Sequence, residues 1–152
     1  MSDIIIAFIT GAVVAGISSY LAHFYSVHRD KRKEFNDAAK EFRSNFTNEL
    51  KLLKRFAMGD DVGKTTEHIL ADAIERHESA MIDFGPYLNE SKKIGFDEAW
   101  KNYALDDNGG LETPPDKAIH KYYSYENTTL EMKMRKLAIK SIEWLLVFTK
   151  PK

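Results

Sequence analysis

Residues 59–66 read Gly-Asp-Asp-Val-Gly-Lys-Thr-Thr, the stretch nearest to a phosphate-binding loop. Such a loop wraps phosphate oxygens in successive backbone N–H groups. It needs four residues between its glycines, then Lys and a hydroxyl residue. Here three residues separate Gly59 from Gly63, the required first glycine falls on Met58, and Asp60 and Asp61 would repel phosphate. The stretch therefore reads as a turn followed by a helix capped by Thr65 or Thr66. Residues 106–110, Asp-Asp-Asn-Gly-Gly, echo a calcium loop but lack the glycine at its sixth position and the glutamate at its twelfth. They too read as a turn.

The five histidines are His23, His28, His68, His77 and His120, and no His-Glu-x-x-His or Glu-x-x-His pairing links them. His68, Asp72 and Glu75 fall along one helical face and could ligate a metal, but a solvated charged face is the commoner meaning of that pattern. His77 interrupts the apolar face of Leu70, Ile74, Met81 and Phe84. It is expected to be a core imidazole bonded to a carboxylate or carbonyl. A pH-responsive or partner-contacting group is the alternative. Residues 117–127 mix aromatics with cations; stacking on bases is conceivable there, but packing of Tyr122, Tyr123 or Tyr125 against a helical core is favoured.

The wider composition agrees with that modest chemistry. The chain has 152 residues, 22 Lys+Arg against 23 Asp+Glu, a formal charge of −1 and no cysteine. That excludes disulfides, thiolate metal sites and a thiol nucleophile, and it lacks the basic excess of a nucleic-acid binder. No catalytic, cofactor-binding or metal-binding set is expected, nor a small-molecule substrate, and the protein is read as non-enzymatic.

The elements that would position these residues are helices. No glycine or proline occurs in residues 17–58. Phe35, Ala38, Ala39, Phe42, Phe46, Leu50, Leu53 and Phe56 recur every three or four positions, so one helix is expected from about residue 4 to about residue 57. A break near residues 26–30 is the alternative. A second helix is expected over residues 65–84, ended by Gly85-Pro86. Pro86 begins a short helix through Tyr87 and Leu88, stopped by Gly95, and another short helix is expected over residues 96–104 with Asp97 as cap and Trp100 and Tyr103 as anchors. Residues 105–115 form a loop. The last helix starts at a capping box, Thr128 to Glu131. Its apolar line is Leu130, Met134, Leu137, Ala138, Ile142, Leu145 and Phe148, and Lys150 and Lys152 suit its end. No period-two alternation is present. The fold class expected is all-α, with an N-terminal transmembrane helix continuing into a small helical bundle.

Residues 4–24, IIIAFITGAVVAGISSYLAHF, contain no charge. As a helix they extend about 31 Å, the depth of a bilayer's hydrocarbon core. The n-region Met-Ser-Asp has no cation and no Ala-x-Ala follows, so a retained anchor is expected rather than a cleaved signal. Arg29, Lys31, Arg32 and Lys33 follow the span and only Asp3 precedes it. These cations set topology and meet lipid headgroups, placing the N-terminus outside and the following part in the cytoplasm. The domains are thus residues 1–25, the membrane helix, and 26–152, the cytoplasmic part. Within the span, Ala7, Gly11, Ala15 and Ser19 repeat every fourth position beside Ala12 and Gly16, a small-residue face that suits helix association in lipid.

The membrane span, the run RDKRKEFNDAAKEFR (residues 29–43), FDEAWKNY (residues 96–103) and the apolar last helix together resemble small uncharacterised bacterial single-pass membrane-anchored proteins. The resemblance implies a cytoplasmic-membrane setting and transfers no activity. The expected function is a non-enzymatic membrane protein presenting a helical protein-interaction or assembly module, its partners being membrane lipid and a protein or a second copy. The alternative is a membrane-active effector, a toxin or defence protein that oligomerises through its membrane helix.

Overall fold

The computed structural model describes residues 2–57, 63–104, 122 and 128–151, with side chains described for all of these except 2–17, 19, 56 and 57. Every regular element among them is helical: α1 Ser2–Ala57, α2 Thr66–Ala71, α3 Ile74–Phe84, a short 3₁₀ turn Gly85–Tyr87, α4 Glu90–Ala104 and α5 Thr128–Val147. The fold divides into two units, Met1–Asn36 and Asp37–Pro151.

Helix α1 runs without a break through residues 26–30. That follows from the absence of any glycine or proline after Gly16. The expected membrane span and the small-residue face of Ala7, Gly11, Ala12, Ala15, Gly16 and Ser19 fall mostly on side chains outside the described residues. Only the helical backbone is described there. Among the residues whose side chains are described, no helix is long and apolar enough to cross a membrane.

The Asp37–Pro151 unit is built around aromatic rings. Phe42 of α1 lies 4.9 Å from Phe46, 5.0 Å from Phe84 of α3 and 5.5 Å from Phe96 of α4, centroid to centroid. Phe96 in turn meets Phe148, just beyond α5, at 5.6 Å. Leu53, Leu70, Ile142 and Leu145 are fully buried beside them. Each such side chain contributes about 1.5–3 kcal/mol by leaving water, and the tilted and edge-on ring pairs add about 0.5–1.5 kcal/mol each.

Three expectations for this unit are corrected. The helix expected over residues 65–84 is two. Asp72 N–H bonds to His68 O, and Ala73 N–H bonds back only three residues, to Leu70 O at 3.0 Å. That tightened turn sends the two pieces to different neighbours. Helix α2 bonds to α5 through Thr66, while α3 bonds to α1 through Arg76 and His77. Helix α4 begins earlier than expected, at Glu90 rather than at Phe96. The Asn89 side chain accepts from Lys92 N–H at 3.0 Å and caps it, so Asp97 is not its cap. Gly95 lies inside α4 rather than ending it, and a Cβ there would stand 3.2 Å from the Phe148 ring. Finally, the buried face of α5 follows the expected apolar line at Ala138, Ile142 and Leu145 but departs from it at Leu137 and at the start of the helix. It carries Glu131, Arg135, Ala138, Ile142, Leu145 and then Thr149, whereas Leu137 is exposed.

Lys150 is exposed beyond α5, and a cation from α1 serves the dipole at that end. Arg43 Nη1 donates to Thr149 O at 2.6 Å, placing a positive charge where the helix carbonyls point.

Candidate functional site

His77 is the residue, among those singled out by sequence, around which the structure gathers other groups. Its place on α3 follows from the apolar repeat that buries Ile74, Ala80 and Phe84. The imidazole is 0% exposed and stacks on the Phe46 ring at 4.0 Å and 14°. Its Nε2 lies 3.0 Å from Asn45 O and 3.3 Å from Glu49 Oε2. Both are acceptors, so Nε2 carries the proton and donates. Nδ1 then accepts from the Tyr103 hydroxyl at 2.7 Å. Arg76, one residue away, closes the set: its Nη2 pairs with Glu49 Oε2 at 2.7 Å and its Nε donates to Asn45 O at 3.3 Å.

The electrostatics follow from burial. Loss of solvent pushes the His77 pKa down to about 4, against the opposing pull of Glu49, so the ring is neutral at pH 7. Burial raises the Glu49 carboxyl, but the Arg76 hydrogen bond leads the effects that outweigh it and hold the group below its usual range. Burial drives the Tyr103 hydroxyl well above the ordinary tyrosine range.

Hydroxyl, imidazole and carboxylate in a row form a proton-relay geometry. Yet Tyr103 is 1% exposed and Glu49 4%, and the whole imidazole is enclosed. A reactant has no route to the Tyr103 oxygen in this conformation. The arrangement ties α1, α3 and α4 together through polar atoms that satisfy one another. In it the His77 imidazole bonds to both a carbonyl and a carboxylate.

A second buried polar cluster was not expected. Glu131 Oε1 accepts from Thr66 N–H at 2.8 Å, Thr66 Oγ1 at 2.6 Å and Arg135 Nε at 2.7 Å. Arg135 Nη2 donates to Lys64 O at 2.5 Å. This cluster accounts for the phosphate-loop lookalike. Gly63 turns the chain at φ +65°, a left-handed conformation that suits glycine. Thr65 caps α2 by accepting from His68 N–H at 3.3 Å. Lys64 Nζ pairs with Asp72 at 2.6 Å. The Glu131 carboxylate occupies the anion position at the start of α2. The signal that would have found the cluster is heptad spacing: residues 131, 135, 138, 142 and 145 form one line.

The other groupings weighed from the sequence separate. His68 turns its ring to Thr65 Oγ1 at 2.6 Å and Asp72 turns to Lys64. Among the described residues no group of three or more acidic or histidine side chains is placed to hold a metal. Tyr122 is fully buried and its hydroxyl donates to Tyr103 O at 3.0 Å, satisfying a carbonyl at the end of α4. The rest of residues 117–127, the calcium-loop lookalike at residues 106–110, and Asp60 and Asp61 lie outside the described residues. Arg29, Lys31, Arg32 and Lys33 are all exposed on α1.

Set against family models, curated proteins and solved structures, the chain matches none. The likeness to small bacterial membrane-anchored proteins therefore rests on its residue patterns alone.

Proposed function

We propose that this is a single-pass protein of the bacterial cytoplasmic membrane, anchored by residues 4–24, with its N-terminus outside and residues 26–152 on the cytoplasmic face. The observation that carries the reading is the uncharged 21-residue stretch, set within an unbroken helix that continues to Ala57. A helix satisfies its own backbone in lipid, and the exposed cations that follow give the positive-inside orientation. The helical part then serves as a docking or assembly module rather than an enzyme. Its buried polar groups are spent on holding helices together, which supports a structural role for them.

Reporter fusions test this. A fluorescent protein fused after Lys152 is expected to glow in the cytoplasm, and alkaline phosphatase at the same place is expected to be inactive. The reverse result overturns the orientation. Chain released from membranes by alkaline carbonate overturns the span. Crosslinking in intact membranes should return a discrete protein adduct or a defined multimer, and a chain that crosslinks to neither overturns the docking role.

A further inference from the structure

Among the described side chains of the first unit, the exposed large apolar ones are Tyr20, Leu21, Phe24, Tyr25 and Val27. Phe24 and Tyr25, 48% and 68% exposed, adjoin His28, Arg29 and Arg32, and these five line a shallow groove on the side of α1. The Phe24 and His28 rings meet edge-on at 4.2 Å. At 100° per residue the five positions share one face of the helix. Lys31 and Lys33 fall on either side of that face, and Asp30 lies away from it. The nearest carboxylate is that of Asp30, which touches Arg29 only at 3.8 Å between exposed groups, a pairing worth little in water.

We propose that this groove binds the phosphate of an anionic phospholipid, with Arg29 and Arg32 as its two cationic arms and Phe24 and Tyr25 against the acyl–glycerol region. The site rests on residues 4–24 being the span. Helical side chains lean toward the helix N-terminus, so both arginines reach back toward the bilayer, from positions about 7 and 12 Å beyond residue 24 along the axis. Guanidinium groups grip phosphate oxygens in pairs. Aromatic rings settle at the headgroup boundary. Charge and apolar surface thus complement one occupant in the order in which a lipid presents them.

The test compares two double variants of the full chain with equal loss of charge, Arg29→Gln/Arg32→Gln and Lys31→Gln/Lys33→Gln. Each is reconstituted in phosphatidylcholine vesicles containing phosphatidylglycerol. Native mass spectrometry after gentle extraction reads the lipid retained per chain. The unaltered chain should keep phosphatidylglycerol over phosphatidylcholine, and the arginine variant should lose about fivefold more of that preference than the lysine variant, whose smaller loss measures diffuse attraction alone. Equal losses in both variants mean diffuse attraction and overturn the site. A carbonate wash of the same vesicles separates the two readings. A chain that stays in the membrane without lipid preference removes only the groove, whereas a chain that washes off removes the span and the groove together.

Discussion

At His77 the enclosed ring makes stability depend on pH. Its pKa falls from 6.5 in the unfolded chain to about 4 in the fold, so below pH 6.5 the unfolded state takes up a proton that the fold resists. Stability is complete above about pH 6.5 and declines as pH falls toward 4, by on the order of 3 kcal/mol. Glu49, held below its ordinary value, adds a further loss at the acid end as it is protonated. Thermal melts of the detergent-solubilised chain from pH 7.5 to 4 should show this slope, and His77→Gln should flatten the part between about 6.5 and 4. An unchanged slope would remove His77 as its source. Glu131 offers a second test. Glu131→Gln strips the carboxylate charge from beside Arg135, a side chain 1% exposed, and should cost about 3 kcal/mol in chemical denaturation. Replacing both residues by Met should recover most of that loss. His77 was legible because it breaks an apolar repeat. Its partners were not, since Glu49 and Tyr103 look like ordinary surface and core residues until α1 and α4 are brought together.

Helices were easiest to read where periodicity stood alone and hardest where neighbours decided the outcome. The apolar repeat from Ala39 to Leu53 marks the buried side of α1 directly. The turn at Asp72–Ala73 has no glycine or proline to announce it and arises from tertiary bonds on its two sides. Gly95 misled in the opposite sense, because it serves close packing and not termination. Gly95→Val should therefore destabilise by about 1–3 kcal/mol through its collision with Phe148, despite the gain in backbone order. An equal or higher melting temperature would deny that contact. At the far end of α5, Arg43→Ala should cost about 1–2 kcal/mol, since it removes a charged hydrogen bond to an end carbonyl. Arg43→Lys should restore part of it.

The all-helical character of the described residues could be read from the absence of alternating strands, whereas the pairing of the helices could not. The buried aromatic core belongs to the Asp37–Pro151 unit. A fragment of residues 31–152 is expected to melt cooperatively without detergent, by circular dichroism. A featureless melt would show that the core depends on the first thirty residues. Within that unit the contacts of α1 with the last helix and the residues just beyond it include Lys54 with Glu143 at 2.7 Å and Arg43 with the carbonyl of Thr149, 106 positions along. Closing so long a loop carries an entropic cost before any contact repays it, so folding cannot proceed by zipping adjacent hairpins alone. The last helix is made after α1 to α4, and until it docks the Phe96 ring lacks its Phe148 neighbour, an interval in which aggregation is expected to compete with completion of the core.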